Sequence, residues 1–163
     1  MKISTKGEYG IRAMLFLAMY DRDGTVTSHE IARRQGIPEP YLRQILALLS
    51  KSRLIHSNRG PQGGHVLARP ASEITVRDVL MTLEGQTTSV DQILSLPCCQ
   101  EAGPEHCAIG ELLIGVKKKV DEMLEATTFE MLARRQKELS HGQAALACSP
   151  TSELRGEELL PVL

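Results

Sequence analysis

Three features of the sequence predict a mainly α-helical chain with a small β wing. Two short stretches, Thr27 to Gly36 and Pro40 to Lys51, read as helices joined by a glycine-containing turn. Directly behind them, Leu54 to Asn58 and His65 to Ala68 flank Arg59-Gly60-Pro61-Gln62-Gly63-Gly64, which reads as a hairpin with a glycine-rich tip. Further on, Ile109, Leu112, Leu113, Val116, Val120, Met123 and Leu124 recur by threes and fours, as on one long helix with an apolar seam. A hairpin attached to a helix-turn-helix is a wing, so the expected fold is a winged helix-turn-helix followed by a long helix.

The first element starts at Thr5-Lys6-Gly7-Glu8, which has the form of a capping box. The helix should run from about Lys6 to Tyr20, and its apolar residues wrap most of the circumference, so it should lie buried. Thr27-Ser28-His29-Glu30 repeats the box and begins a helix with Ile31 and Ala32 inward, closed by Gly36 in a left-handed cap. Pro40 suits the first turn of the next helix, where a missing N–H costs nothing. That helix should bury Leu42, Ile45, Leu46 and Leu49, leaving Tyr41, Arg43, Gln44, Ala47 and Lys51 on a polar and basic outer face.

In the wing, Gly60 and Gly63 let the backbone approach a phosphate or enter a minor groove, with Arg59 as the probing cation. Thr75-Val76-Arg77-Asp78 caps a helix carrying Val76, Val79, Leu80 and Leu83, which Gly85 stops. The seam helix should span about Ala108 to Ala126, and in a chain this small it most economically buries its stripe against its own copy. A last capping box, Thr127-Thr128-Phe129-Glu130, begins a helix expected to end near Leu139. The expected organisation is therefore a winged helix-turn-helix over 1–85, a linker and cysteine-rich loop over 86–107, the seam helix and a short helix over 108–139, and a disordered tail over 140–163.

The net charge is −1, but it is unevenly spread. Met1 to Arg69 holds eleven Lys/Arg against five Asp/Glu, and the remainder eight against fifteen, so +6 and −7 give the total. A basic half joined to an acidic half suits a polyanion-binding module coupled to a part that must avoid the polyanion. No apolar leader opens the sequence and no segment is long enough to span a bilayer, so a cytoplasmic protein off the membrane is expected.

Three of the four cysteines, Cys98, Cys99 and Cys107, crowd into Pro97 to Cys107 with Gly103, Pro104 and His106. In a reducing compartment such thiols suit a transition metal, an iron-sulfur cluster or a thiol switch better than structural disulfides. A zinc site would use the same atoms, yet no zinc-ribbon spacing is present. An enzyme is not expected, because no His and acid constellation accompanies the thiols except His106, and the wing glycines do not precede a helix.

These residues together resemble the bacterial winged-helix regulators of the IscR and NsrR type. The resemblance covers about Met1 to Leu139 and rests on Ser4-Thr5-Lys6-Gly7-Glu8-Tyr9, on Gln35-Gly36-Ile37 followed by Tyr41-Leu42 and Gln44, on the wing, and on the cysteine loop. It implies a homodimer that binds a palindromic double-stranded DNA operator and senses iron-sulfur, redox or nitric oxide status through a cluster, 2Fe-2S or 4Fe-4S. Tyr41, Gln44 and Arg59 stand where that family faces DNA, whereas Arg43 replaces an acidic residue of the IscR type. Cys107, with Cys98 or Cys99 or both, would hold the cluster, and Glu8 falls where related sensors place a carboxylate ligand from the partner subunit. The loop departs from the family in its adjacent Cys98 and Cys99, with seven residues between Cys99 and Cys107. Gly110 stands where the IscR type has a histidine ligand. The alternative to a cluster is a regulator whose thiols sense oxidants, electrophiles or soft metals directly.

Overall fold

The computed structural model describes residues 3–20, 24–58, 60, 63–85 and 108–147, with side chains described as far as Ser140. Six α-helices and one hairpin are formed by these residues: α1 (Thr5–Met19), α2 (Ser28–Gln35), α3 (Glu39–Lys51), β1 (Ile55–Asn58), β2 (Gly64–Leu67), α4 (Val76–Glu84), α5 (Ala108–Ala126) and α6 (Phe129–Ala147). The fold class expected from the sequence, helical with a two-stranded antiparallel wing, is the one observed.

The helix-turn-helix forms for local reasons. Thr27 accepts from Glu30 N at the head of α2, and Gly36 leaves the helix at φ 62°, a conformation that costs glycine least. Pro40 occupies the first turn of α3, and Leu42, Ile45, Leu46 and Leu49 are buried on the expected stripe. The wing pairs Ile55 with Leu67 and Asn58 with Gly64. A second pairing anchors it: Val26 N donates to His65 O at 3.0 Å, and His65 N donates to Val26 O at 2.8 Å. The wing is thereby hydrogen-bonded to the segment that enters α2.

That anchor explains Gly64, which the sequence places in the glycine-rich tip. A Cβ at Gly64 would lie 2.8 Å from the Val26 carbonyl oxygen, a backbone atom that cannot swing aside. Gly64→Ala is expected to destabilise the fold by about 1–3 kcal/mol, the usual cost of overpacking, measured as a lower urea midpoint. Gly60→Ala, whose Cβ meets nothing among the described residues but whose φ is 121°, tests backbone strain at the tip.

Three expectations need correction. The cap of α1 is Ser4, not Thr5: Ser4 Oγ accepts from Gly7 N at 3.1 Å. Ser4 wins because its N and Oγ also donate to Glu84 Oε1, each at 2.8 Å, a contact across the fold that local pattern cannot register. The cap of α6 is Thr128, which accepts from Met131 N, while Thr127 Oγ1 donates back to Met123 O and closes α5. The last helix runs to Ala147 instead of ending near Leu139. Its extension, Ser140 to Ala147, takes in the start of the expected tail and, past Gly142, carries the helix formers Gln143, Ala144, Ala145, Leu146 and Ala147, which a search for apolar periodicity does not register.

On α5 the seven apolar positions fall on one face of the helix, as expected, but the two edges of that face differ in burial. Leu124 packs on the core and Leu113 and Val120 are half-buried, whereas Ile109, Leu112, Val116 and Met123 are exposed. The core itself joins both ends of the chain. Phe129, fully buried, belongs to the same cluster as Met14, Leu42, Ile55, Ile74 and Val79. α1 lies so close on α4 that a Cβ at Gly10 would collide with Leu83, and one at Gly7 with Glu84.

Candidate nucleic-acid interface

The outer face of α3 presents Arg43 and Gln44, both exposed. Tyr41 is different: it is half-buried, with its ring edge-on to Tyr9 of α1 at 5.9 Å between centroids. Arg43 Nη2 donates to Glu39 Oε1 at 2.6 Å, one helical turn back, and the other carboxylate oxygen meets His29 Nδ1 of α2 at 3.2 Å. The Arg43 hydrogen bond, and then that of His29, hold the Glu39 carboxyl below the usual carboxylate range.

Between the helix pair and the wing lies a polar cleft. Its walls include Ser28 and His29 at the start of α2, Glu39 and Arg43 on α3, and Asn58, Gly60, Gly63 and His65 on the wing. Three of the residues expected to face DNA, Arg43, Gly60 and Gly63, therefore meet around one opening, which Tyr41 and Gln44 do not line. Gly63 N donates to Gly60 O at 2.9 Å, closing the tip into a turn. Arg59 lies outside the described residues.

His65 is the hinge pin of this cleft. Its Nε2 meets Ser28 Oγ at 2.9 Å and its Nδ1 meets Ser57 Oγ at 3.0 Å, so one imidazole ties the wing to the first turn of α2. Burial pushes its pKa below the usual 6.5. The unfolded chain then binds the proton more readily than the folded one, so this contribution to stability is full above pH 6.5 and is lost as pH falls below it. We expect the urea midpoint to drop between pH 7.5 and 5.5, and His65→Gln, which cannot titrate, to lose less over that interval.

The residues proposed from sequence to sense a signal sit mainly outside what is described: Cys98, Cys99 and Cys107 all fall there. Glu8 does not. With Ser4 as the cap, its side chain is released from the capping role expected for it, and it stands exposed on the first turn of α1 with Arg12 Nη1 at 3.5 Å. Arg12 also lies over the Tyr9 ring and donates through Nη2 to Gln35 O, at the end of α2. α1 thus links the Glu8 carboxylate to the turn of the helix-turn-helix through Arg12, and to α3 through Tyr9 and Tyr41. Gly110 is buried in the first turn of α5.

Glu39, His29 and His65 were not singled out from sequence. The signal for Glu39 was present as a Glu four residues before Arg43 on a helix. His29 and His65 carry none, since each acquires its partner from another element. Among the described residues no helix is long and apolar enough to cross a membrane.

Residues 3–135 match the Rrf2 family, described as an iron-dependent transcriptional regulator. The HTH-type transcriptional regulator CymR of Bacillus subtilis is 36% identical over 133 residues, 82% of this chain and 90% of its own. IscR of Photorhabdus laumondii is 32% identical over 139 residues, 85% of this chain and 83% of its own. Among solved structures, B. subtilis CymR, called the global cysteine regulator, superposes with a TM-score of 0.66 at 32% identity, over 83% of this chain and 98% of that one. IscR of T. potens superposes at 0.64 with 33% identity, over 93% and 94%.

Proposed function

The chain belongs to the Rrf2 family of transcriptional regulators, and from that membership we propose that it is a homodimeric regulator whose hold on a palindromic operator is set by an iron-sulfur cluster at the cysteine loop. The division of labour we propose keeps 1–85 as reader, 86–107 as sensor loop and α5 as the dimer helix. The ligands would be Cys107, Cys98 or Cys99 or both, and Glu8 from the opposite protomer.

The observation that carries the sensor reading is the state of Glu8. A carboxylate consumed in a cap could not ligate, but this one is exposed and, among the described residues, is held by a 3.5 Å ion pair to Arg12. Exposed pairs of that kind contribute at most about 1 kcal/mol, so a stronger partner can displace Arg12. The donor set of soft thiolates with one carboxylate suits iron. When bound, a cluster would supply a centre that oxidants, nitric oxide or iron shortage can dismantle. The remaining steps belong to the chain: Glu8 leaves or regains Arg12, Arg12 shifts its grip on Gln35 O, and the turn before α3 moves with it. Two recognition helices must stand about 34 Å apart to meet successive major grooves, so a small displacement changes affinity.

A second reading keeps the reader and makes the cysteines a direct thiol switch. The adjacency of Cys98 and Cys99, and the likeness to a regulator named for cysteine, favour it. Anaerobic purification followed by iron and sulfide analysis separates the two. Reddish-brown protein with visible absorbance, lost in Cys107→Ala and weakened in Glu8→Ala, is the expected outcome. Protein that stays colourless after reconstitution would remove the cluster and leave the thiol switch.

A further inference from the structure

We propose that Glu39 is a positioning residue for base reading: its carboxylate fixes the Arg43 guanidinium so that Arg43 donates to one guanine in each half of the operator. The inference rests on the DNA-binding reading above and adds to it a residue and a base.

The physical problem is the presence of a carboxylate at the front of α3, inside the cleft that duplex DNA would enter. Residues at the N-terminal end of a recognition helix are the ones that meet base edges. Facing phosphates, a carboxylate there repels; it is tolerable only if it does something at the bases. Glu39 is not idle: Oε1 accepts from Arg43 Nη2 at 2.6 Å, and Oε2 is held by His29 Nδ1 at 3.2 Å. The two oxygens thus join α3 to α2, and the carboxylate is fixed from both sides.

An unrestrained arginine at this place has an easier target than a base. Phosphates flank the groove, and a mobile guanidinium gains affinity from them without regard to sequence. Engaging Nη2 with Glu39 removes that freedom while leaving the other N–H donors of the fork to point outward. A guanidinium held in this way matches guanine, whose O6 and N7 both accept, and mismatches adenine, which presents an amino group beside N7. Glu39 would therefore convert Arg43 from a phosphate-binding cation into a base reader. The depressed titration of Glu39 agrees, since the carboxylate stays charged across the physiological range.

The test is selection of binding duplexes from a randomised pool by the full-length wild-type protein, then anisotropy on the selected duplex. Wild type should prefer guanine at one position of each half-site by roughly 10- to 100-fold, the worth of a bidentate arginine contact, and lose that preference when 7-deazaguanine removes the N7 acceptor. Arg43→Ala should flatten that position alone. Glu39→Gln should flatten the same position while binding unrelated duplex more tightly than wild type, which a merely destabilised variant would not do. If wild type selects a motif and Glu39→Gln keeps its preference at every position, or weakens all positions alike, the role of Glu39 is overturned and the DNA-binding reading stands. If wild type enriches no motif, both fall.

Discussion

Phe129→Ala is expected to lower the stability of the fold by about 3–5 kcal/mol, the usual cost of truncating a fully buried phenylalanine. Domains of this size are stable by about 5–15 kcal/mol, so the loss is a large fraction of the whole. Phe129 has no exposed surface and lies in the cluster that also holds Met14, Leu42, Ile45 and Val79. Its position is locked by the backbone as well. Phe129 N donates to Ile74 O, and Val76 N donates to Thr127 O, each at 3.0 Å, so the junction between α5 and α6 is stitched to the entry of α4. The variant should unfold at a lower urea concentration, and limited proteolysis should cut near this junction first. Met131→Ala, two residues on and exposed, supplies the control and should change stability by no more than about 0.5 kcal/mol.

The role of Phe129 was invisible in the sequence because one aromatic after a cap carries no periodic signal, and its partners come from α1, α3 and α4. What was legible shares a cause. The inward stripes of α2, α3 and α4 and the caps at Thr27, Gly36 and Thr75 depend on residues three or four apart, which a local pattern records. What was missed depends on long-range contact: Ser4 takes the cap of α1 because Glu84 reaches it, and Gly64 is confined by the Val26 carbonyl. The candidate site divides the same way. Arg43, Gly60 and Gly63 could be assigned to one surface from their place in the motif, while the tie between Glu39 and His29 needed two helices to meet. Glu8 was readable as two things, a cap or a ligand, because the same spacing serves both. Only the position of Ser4 separates them.

The second large effect is expected on α5. Ile109, Val116 and Met123 are seven residues apart, with Leu112 between the first two, and all four are exposed, Met123 at 72% and Leu112 at 65%. Positions a of three successive heptads are thus apolar, which is the pattern of a helix that packs on another helix. Among the described residues the chain's own core leaves them uncovered, whereas Leu124, at one edge of the same face, is already packed. Changing both Leu112 and Met123 to Glu should leave the monomer folded, since neither contributes to its core. It should nevertheless raise the dimer dissociation constant more than 100-fold, because each uncompensated buried charge costs about 3–5 kcal/mol. DNA binding should then change in a characteristic way. In a dimer the second recognition helix binds at an effective concentration of about millimolar, so its loss should lower full-operator affinity by about 10²- to 10⁴-fold. Affinity for a single half-site should stay near that of wild type. Sedimentation analysis paired with anisotropy on full and half operators reads both effects, and a double variant that still sediments as a dimer would move the interface away from α5.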